Sequence, residues 1–221
     1  LVVSEICIRD MYKAYIFDFD YTLANSEKGI VMCFERLFAD EGYGPFPKDV
    51  IRRTIGMTMY DAMAQLTGET DSSKIKSLIN LYKIRYSDVL MTANTRLYDD
   101  TIPVLTHLKK NGALCCIVST KTRSRISETL QRDGIESLID CIIGFEDVTE
   151  PKPSGEGIHL ILHRFDLAHS DVLYIGDSLI DMDTARAAGV NFAAVTTGMT
   201  TVADFTAAGQ YRILQNLSEL I

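Results

Sequence analysis

Three stretches of the chain are continuously apolar rather than alternating: Ala14 to Phe17, Ala113 to Val118 and Val172 to Ile175. Unbroken short runs predict strands buried on both faces of a parallel sheet, where helices on either side leave neither face to water. Cys141 to Ile143 is a weaker fourth run. Between them, apolar residues recur at helical spacing. Asp100 predicts a helix start with Pro103 in its first turn, running through Leu105 and Leu108 to Gly112. Thr122 opens another, with Ile126 and Leu130 inward and Gly134 at its end. Ser154 precedes Ile158, Ile161, Leu162 and Phe165, and Ser178 precedes Met182, Ala185 and Ala188 before Gly189. From residue 100 onward helix and strand alternate, which predicts an α/β fold with a doubly wound, mostly parallel sheet.

The rhythm breaks after the first strand. No strand-like run follows until past Asp100; instead Ile30, Phe34, Leu37 and Phe38 form an amphipathic stripe ending at Gly42. Met59, Met63 and Leu66 form a second, ending at Gly68, and Ile75, Leu78, Ile79, Tyr82 and Tyr86 a third, with Pro45 and Pro47 punctuating the link between the first two. This predicts an inserted helical cap over residues 25–92, with the sheet core assembled from residues 1–24 and 93–221. Ala24 to Glu27 and Ala93 to Tyr98 would be its hinges.

Charge and composition narrow the partners. Thirty acidic residues against 22 basic give a net charge of −8, which repels a phosphate backbone, so nucleic-acid binding is not expected. No apolar run approaches the ~20 residues of a membrane-spanning helix, and Ser4 and Glu5 interrupt the opening apolar stretch before a signal-peptide core forms. The five cysteines, Cys7, Cys33, Cys115, Cys116 and Cys141, contain no C-x-x-C pair. Cys115 and Cys116 read as buried, inert thiols, and a reducing, cytoplasmic setting is expected.

The chemistry should sit where the predicted strands end, since open parallel sheets bind ligands at their carboxyl edge. The first strand runs into Asp18 and Asp20, the second into Ser119, Thr120 and Lys121, and the last into Asp177 with Asp181 one helical turn on; Lys152 lies in the turn before it. Carboxylates crowded on one rim repel one another and would partly protonate without a cation. Oxygen-only donors suit Mg²⁺, which usually shares a few carboxylates with substrate phosphate oxygens. Ser119 and Lys152 can then hold a phosphate while a carboxylate beside the metal attacks it. Phosphoryl transfer on a small-molecule phosphate ester is the expected activity.

The segments DFDYTL (Asp18 to Leu23), Ser119, Lys152 and GDSLIDMD (Gly176 to Asp183) resemble, in order and spacing, the four motifs of the haloacid-dehalogenase-like hydrolases. The insertion after the first motif is similar to the helical cap of the phosphoglycolate-phosphatase and β-phosphoglucomutase branch. The resemblance implies a Rossmann-like core in which Asp18 is the nucleophile that becomes an aspartyl-phosphate. Asp20 would be the acid and then the base. Mg²⁺ would be held by Asp18, the backbone carbonyl of Asp20 and Asp177, with Asp181 close by. Ser119, Thr120 and Lys152 would bind phosphate, and Thr22 would support the first loop.

Two departures matter. Thr120 stands where the phosphatase pattern usually has Asn. Ile30 and Met59 stand where the related sugar-phosphate mutases carry His and Arg, which favours a phosphatase over a mutase, while a pyrophosphatase or a non-catalytic phosphometabolite-binding protein are the remaining alternatives. Asp20 argues for phosphate over halide, because a leaving halide needs no proton. Other signals have plainer explanations. His159 and His163 are four apart but lack a zincin glutamate, and Ser73 to Lys76 matches S-x-x-K without its companion segments. Asn216 to Ser218 is a glycosylation sequon of no use inside the cell. Met57, Met59 and Met63 suit helix packing or a pocket wall equally.

Overall fold

β1 (Ala14–Phe17) lies inside a six-stranded sheet, between β4 (Leu114–Val118) and β6 (Val172–Gly176), in a computed structural model that describes residues 12–221. β5 (Cys141–Ile143) extends one edge; β7 (Asn191–Val195) and β8 (Ile213–Leu214) extend the other. The order is β5-β4-β1-β6-β7-β8, and every neighbouring pair is parallel. From β1 the chain moves outward to β4 and β5, then crosses back to β6 and moves outward the other way. The carboxyl ends of β1, β4 and β6 therefore meet at the reversal, where such sheets bind ligands.

Alternate residues of the central strands feed two separate cores. Tyr15, Phe17, Cys115, Ile117, Leu173 and Ile175 face α6 (Thr101–Lys110) and α7 (Arg123–Arg132). Ala14, Ile16, Cys116, Val172 and Tyr174 face α8 (Glu156–Arg164) and α9 (Leu179–Ala188). The continuous apolar runs thus have their predicted cause. Cys33, Cys115, Cys116 and Cys141 are buried free thiols, and burial pushes Cys115 up to about 12, which leaves it unreactive at neutral pH; Cys7 lies outside the described residues. His159 and His163 are exposed. Among the described residues no helix is long and apolar enough to cross a membrane.

The helix starts fall where the periodicity places them, but some caps differ. Asp100 accepts from Ser218 N at 3.1 Å rather than from its own helix. Thr122 makes no side-chain cap, and Arg123 N donates instead to the Glu146 carboxylate at 3.0 Å. β7, β8 and α10 (Val202–Ala207) were not predicted. β7 is NFAAV, in which Asn191 and two alanines blunt the apolar signal. Its position was nevertheless implied, because a helix ending at Gly189 in a βαβ pattern must be followed by a strand.

The insertion leaves and returns through a two-stranded antiparallel ribbon, β2 (Ala24–Asn25) with β3 (Arg96–Leu97). Both segments expected to act as hinges contribute to it. Between them lie α1 (Glu27–Glu41), α2 (Lys48–Arg52), α3 (Met59–Thr67), α4 (Ser72–Leu81) and α5 (Asp88–Leu90). Phe34, Leu37, Met63, Leu66, Ile75 and Leu78 pack into a core of their own. α4 runs on into a π-helical stretch, Tyr82–Ser87, which keeps Tyr82 and Tyr86 buried although the register loosens. α2, only five residues long, was not predicted.

Candidate active site

The strand ladders continue up to the residues that carry chemistry. Asp18 N donates to Ile175 O at 2.9 Å and Ser119 N to Ile143 O at 3.1 Å, so both side chains are anchored by the sheet. Asp177 follows β6 directly. Lys152 reaches in from the turn before α8, its Nζ 2.9 Å from Asp18 Oδ1 and 2.6 Å from Asp181 Oδ1. The Asp181 contact is a hydrogen bond, whereas the Asp18 contact is an ion pair poorly aligned for one. Carboxylate oxygens of Asp18, Asp177 and Asp181 lie within 4.8 Å of one another, and all four groups are buried.

Three carboxylates facing one ammonium leave a deficit of positive charge. Burial, then the neighbouring carboxylates of Asp181 and Asp20, push Asp18 up to about 6 against the opposing pull of Lys152. Burial, then Asp181 and Asp18, hold Asp177 well above the usual carboxylate range. Burial alone would lower the Lys152 ammonium, but Asp18 and Asp181 outweigh it and keep it charged. An oxygen-only donor set that is too acidic for its own cation fits a hard divalent ion. The three carboxylates are placed to share one.

Asp181 has two duties. Its Oδ1 takes Lys152 while Oδ2 accepts from Ser178 N and Oγ at 3.1 and 2.6 Å, closing a capping box at the start of α9. Asp181 therefore caps a helix and belongs to the rim at once.

Asp20 sits in a tight loop in which the N–H groups of Leu23 and Ala24 both donate to Phe19 O. Tyr21 is held there at φ 62°, a left-handed conformation uncommon for a bulky residue. The Asp20 carboxylate stands apart from the three-carboxylate cluster. It pairs with Lys121 Nζ at 3.0 and 3.1 Å, both side chains being largely buried. Thr22 is fully buried in the same loop, and its hydroxyl has no hydrogen-bond partner among the described residues. Ser119 Oγ accepts from Lys121 N at 3.3 Å. Thr120, expected beside the phosphate, instead donates its hydroxyl to the cap, to Gly56 O at 3.1 Å.

Four contributors were not assigned from the sequence. Lys121 was seen at the rim but given no role. Tyr174, hidden in an apolar strand, places its hydroxyl 2.9 Å from Asp181 Oδ1, 3.3 Å from Lys152 Nζ and 3.2 Å from Val118 O. Thr197 donates its hydroxyl to Tyr21 O, bracing the first loop. Gly198 lies so close to Asp177 that a Cβ there would overlap the carboxylate. The last two follow β7, and the loop could not be placed without that strand.

The chain belongs to the haloacid dehalogenase-like hydrolases, whose family model matches residues 15–195. Its helical insertion is the cap of the phosphoglycolate-phosphatase-like branch. A solved chain from Bacteroides fragilis, described as a haloacid dehalogenase-like hydrolase, superposes with a TM-score of 0.92 at 47% identity, covering 95% of this chain and 100% of that one. Among curated relatives, pyrophosphatase PpaX of Bacillus velezensis is 26% identical over 94% of both chains. A phosphoglycolate phosphatase of Pasteurella multocida is 28% identical over 85% of this chain and 87% of its own.

Proposed function

We propose that the protein is a Mg²⁺-dependent phosphatase that hydrolyses a small phosphomonoester through an aspartyl-phosphate on Asp18. The observation that carries this reading is the buried cluster of Asp18, Asp177 and Asp181 around one lysine. Asp18, Asp177 and the Asp20 backbone carbonyl would hold Mg²⁺, with Asp181 close by, and the ion would supply the missing positive charge and polarise the phosphoryl oxygens. Lys152 and Ser119 bind those oxygens from the other side. Asp18 Oδ attacks phosphorus, and the phosphorus–oxygen bond to the leaving alcohol breaks. Asp20 gives that alcohol its proton, then takes one from the water that releases phosphate from Asp18. Asp181 and Tyr174 position Lys152 and do not touch the substrate.

The alternatives fit this site less well. A mutase needs polar groups where buried Ile30 and half-buried Met59 line an apolar space. A non-catalytic binder has no use for a second carboxylate paired to its own lysine. Turnover of p-nitrophenyl phosphate in Mg²⁺ that is abolished by EDTA and restored by Mg²⁺ is the expected result. Full activity in excess chelator, or no turnover at all, would overturn the proposal.

A further inference from the structure

A cavity of about 350 Å³ opens beside Asp20, between the rim and the cap. Its cap side is lined by Phe34, Ile55, Met57, Met59 and Ile79, and Phe145 closes it from the core. Ile55, Met57, Met59 and Ile79 are only partly buried in the cap core, and Phe145 is 40% exposed, so apolar surface from both sides is left toward the void. Most polar groups on the same walls are engaged within the protein; among the described residues the Tyr82 hydroxyl, which is buried away from the void, and the Ser87 hydroxyl are the hydroxyl exceptions. Thr54 and Thr120 donate to the carbonyls of Ile51 and Gly56. Arg125 pairs with Asp88 and Glu128, and Lys121 with Asp20. Lys83 is the one basic wall residue outside an ion pair among the described residues, and it is exposed.

We infer that the enzyme's substrates are phosphomonoesters of a neutral, apolar alcohol, aliphatic or aromatic, whose carbon skeleton fills this cavity. The inference rests on the phosphatase reading above. With the phosphoryl group at Asp18 and Lys152, the ester oxygen belongs at Asp20, and the cavity that Asp20 lines leads onward between Phe145 and the cap methionines. An apolar skeleton there shields wall surface that water otherwise covers. A glycolate carboxylate, a second phosphate or a ring of hydroxyls would lose hydration against walls that are mainly apolar and whose donors are mostly committed, which penalises it. The cavity also falls in the size range of sites for ligands much larger than glycolate.

The n-alkyl phosphates from ethyl to octyl test this, because their leaving alcohols are nearly equal in acidity and differ only in apolar length. kcat/KM should rise roughly two- to fourfold per added methylene until the cavity is filled, and the longer esters should be preferred to phosphoglycolate and pyrophosphate. Phe145→Ala, at an exposed ring, and Met59→Gln should both flatten that slope. In parallel, calorimetric affinities of n-alkylphosphonates in Mg²⁺ should rise with chain length. Activity that is flat or falling with length, a preference for phosphoglycolate or pyrophosphate, or an unchanged slope in both variants would overturn the inference. Phosphonate affinity that grows with length while no ester is hydrolysed would retain the apolar site and sink the phosphatase reading alone. A phosphonate series without any length dependence sinks the inference whether or not esters turn over.

Discussion

The rim and the cap cavity share Asp20 as a common wall, yet they are built on opposite physical terms. At the rim, Asp18, Asp177, Asp181 and Lys152 are ionisable groups held in a buried space by strand ladders, a capping box and Tyr174. In the cavity, side chains that could have been buried keep apolar surface exposed, and Lys121 and Arg125 are neutralised by carboxylates, leaving the exposed Lys83. Burying charge is unfavourable unless every group has a partner, so at the rim it is costly to remove the one cation but not to remove one of the crowded carboxylate charges. An apolar wall needs no partners, so the cap can change its shape without losing its fold. On the reading proposed above, chemistry falls to the region under electrostatic strain and selectivity to the region whose apolar surface is left uncovered.

The largest effect should come from the nucleophile. Asp18→Asn keeps the shape and removes the attacking charge, so steady-state turnover should fall by at least ~10⁴-fold, or about 5 kcal/mol at the barrier. Stability should not fall with it, since Asp18 is raised to about 6 by burial first and then by its neighbours, the mark of a charge held in an unfavourable place. Turnover within tenfold of wild type, or a variant that no longer folds, would break the contrast between rim and cap.

Next comes the cation on the other side of the phosphate. Lys152→Met should lower kcat/KM by roughly 10²- to 10³-fold for every ester alike, as expected for a group that meets only the common phosphoryl oxygens. It should also destabilise the fold by about 3 kcal/mol by leaving buried carboxylates unpaired. Cap substitutions such as Met57→Ala should instead reorder the esters. Equal proportional losses from both variants across a substrate panel would mean that rim and cap do not divide the work.

The two regions also differ in how they show in the sequence. The placement of Asp18, Asp20, Ser119 and Asp177 at the rim was readable because continuous apolar strands end abruptly in polar residues, and topology requires those ends to converge; Lys152 was readable from its turn just ahead of the helix that leads into the last of those strands. The cap helices were readable from their 3.6-residue period. What escaped depends on contacts between distant segments. Tyr174 looks like any core aromatic until its hydroxyl is seen to face Asp181. Gly198 is one of many glycines until Asp177 is found against it. Thr120 sits beside Ser119 in sequence, yet its side chain turns to the cap because neighbouring residues at a strand end point in opposite directions. The cavity itself is a property of two surfaces, and neither one declares it alone.

A smaller effect separates proton from metal at the rim. Asp18 titrates near 6 in the folded protein and near 3.8 when free, so between those values the native state binds more protons than the unfolded one. Metal-free stability should therefore be highest below pH 3.8 as far as this group is concerned, and should decline as pH rises to about 6. Mg²⁺ needs the ionised carboxylate, so the rise in Tm it produces should be small at pH 5 and larger at pH 7.5. Thermal melts with Mg²⁺ and with EDTA at both values measure this. An increment independent of pH would mean that Mg²⁺ does not compete with protons at Asp18.

The smallest effect tests whether the cap, too, harbours an unfavourable polar group. Tyr82 is buried in the cap core with its ring 4.8 Å from that of Phe34, and among the described residues its hydroxyl meets no oxygen or nitrogen partner, only the weakly hydrogen-bonding Cys33 thiol beside it. A buried donor left unsatisfied costs about 1–3 kcal/mol, whereas removing it without changing the ring's shape costs almost nothing. Tyr82→Phe should therefore raise stability by about 1 kcal/mol, read as a higher urea midpoint with an unchanged slope. The same logic at the rim predicts a different pattern: Thr22 carries an equally orphaned hydroxyl, but there Thr22→Val should lower activity even if it raises stability, because that loop holds Asp20. If Tyr82→Phe is destabilising, the hydroxyl has a partner after all. Cys33, whose thiol neighbours it, is then the residue to remove: a Cys33→Ala background in which Tyr82→Phe becomes neutral would identify the pair.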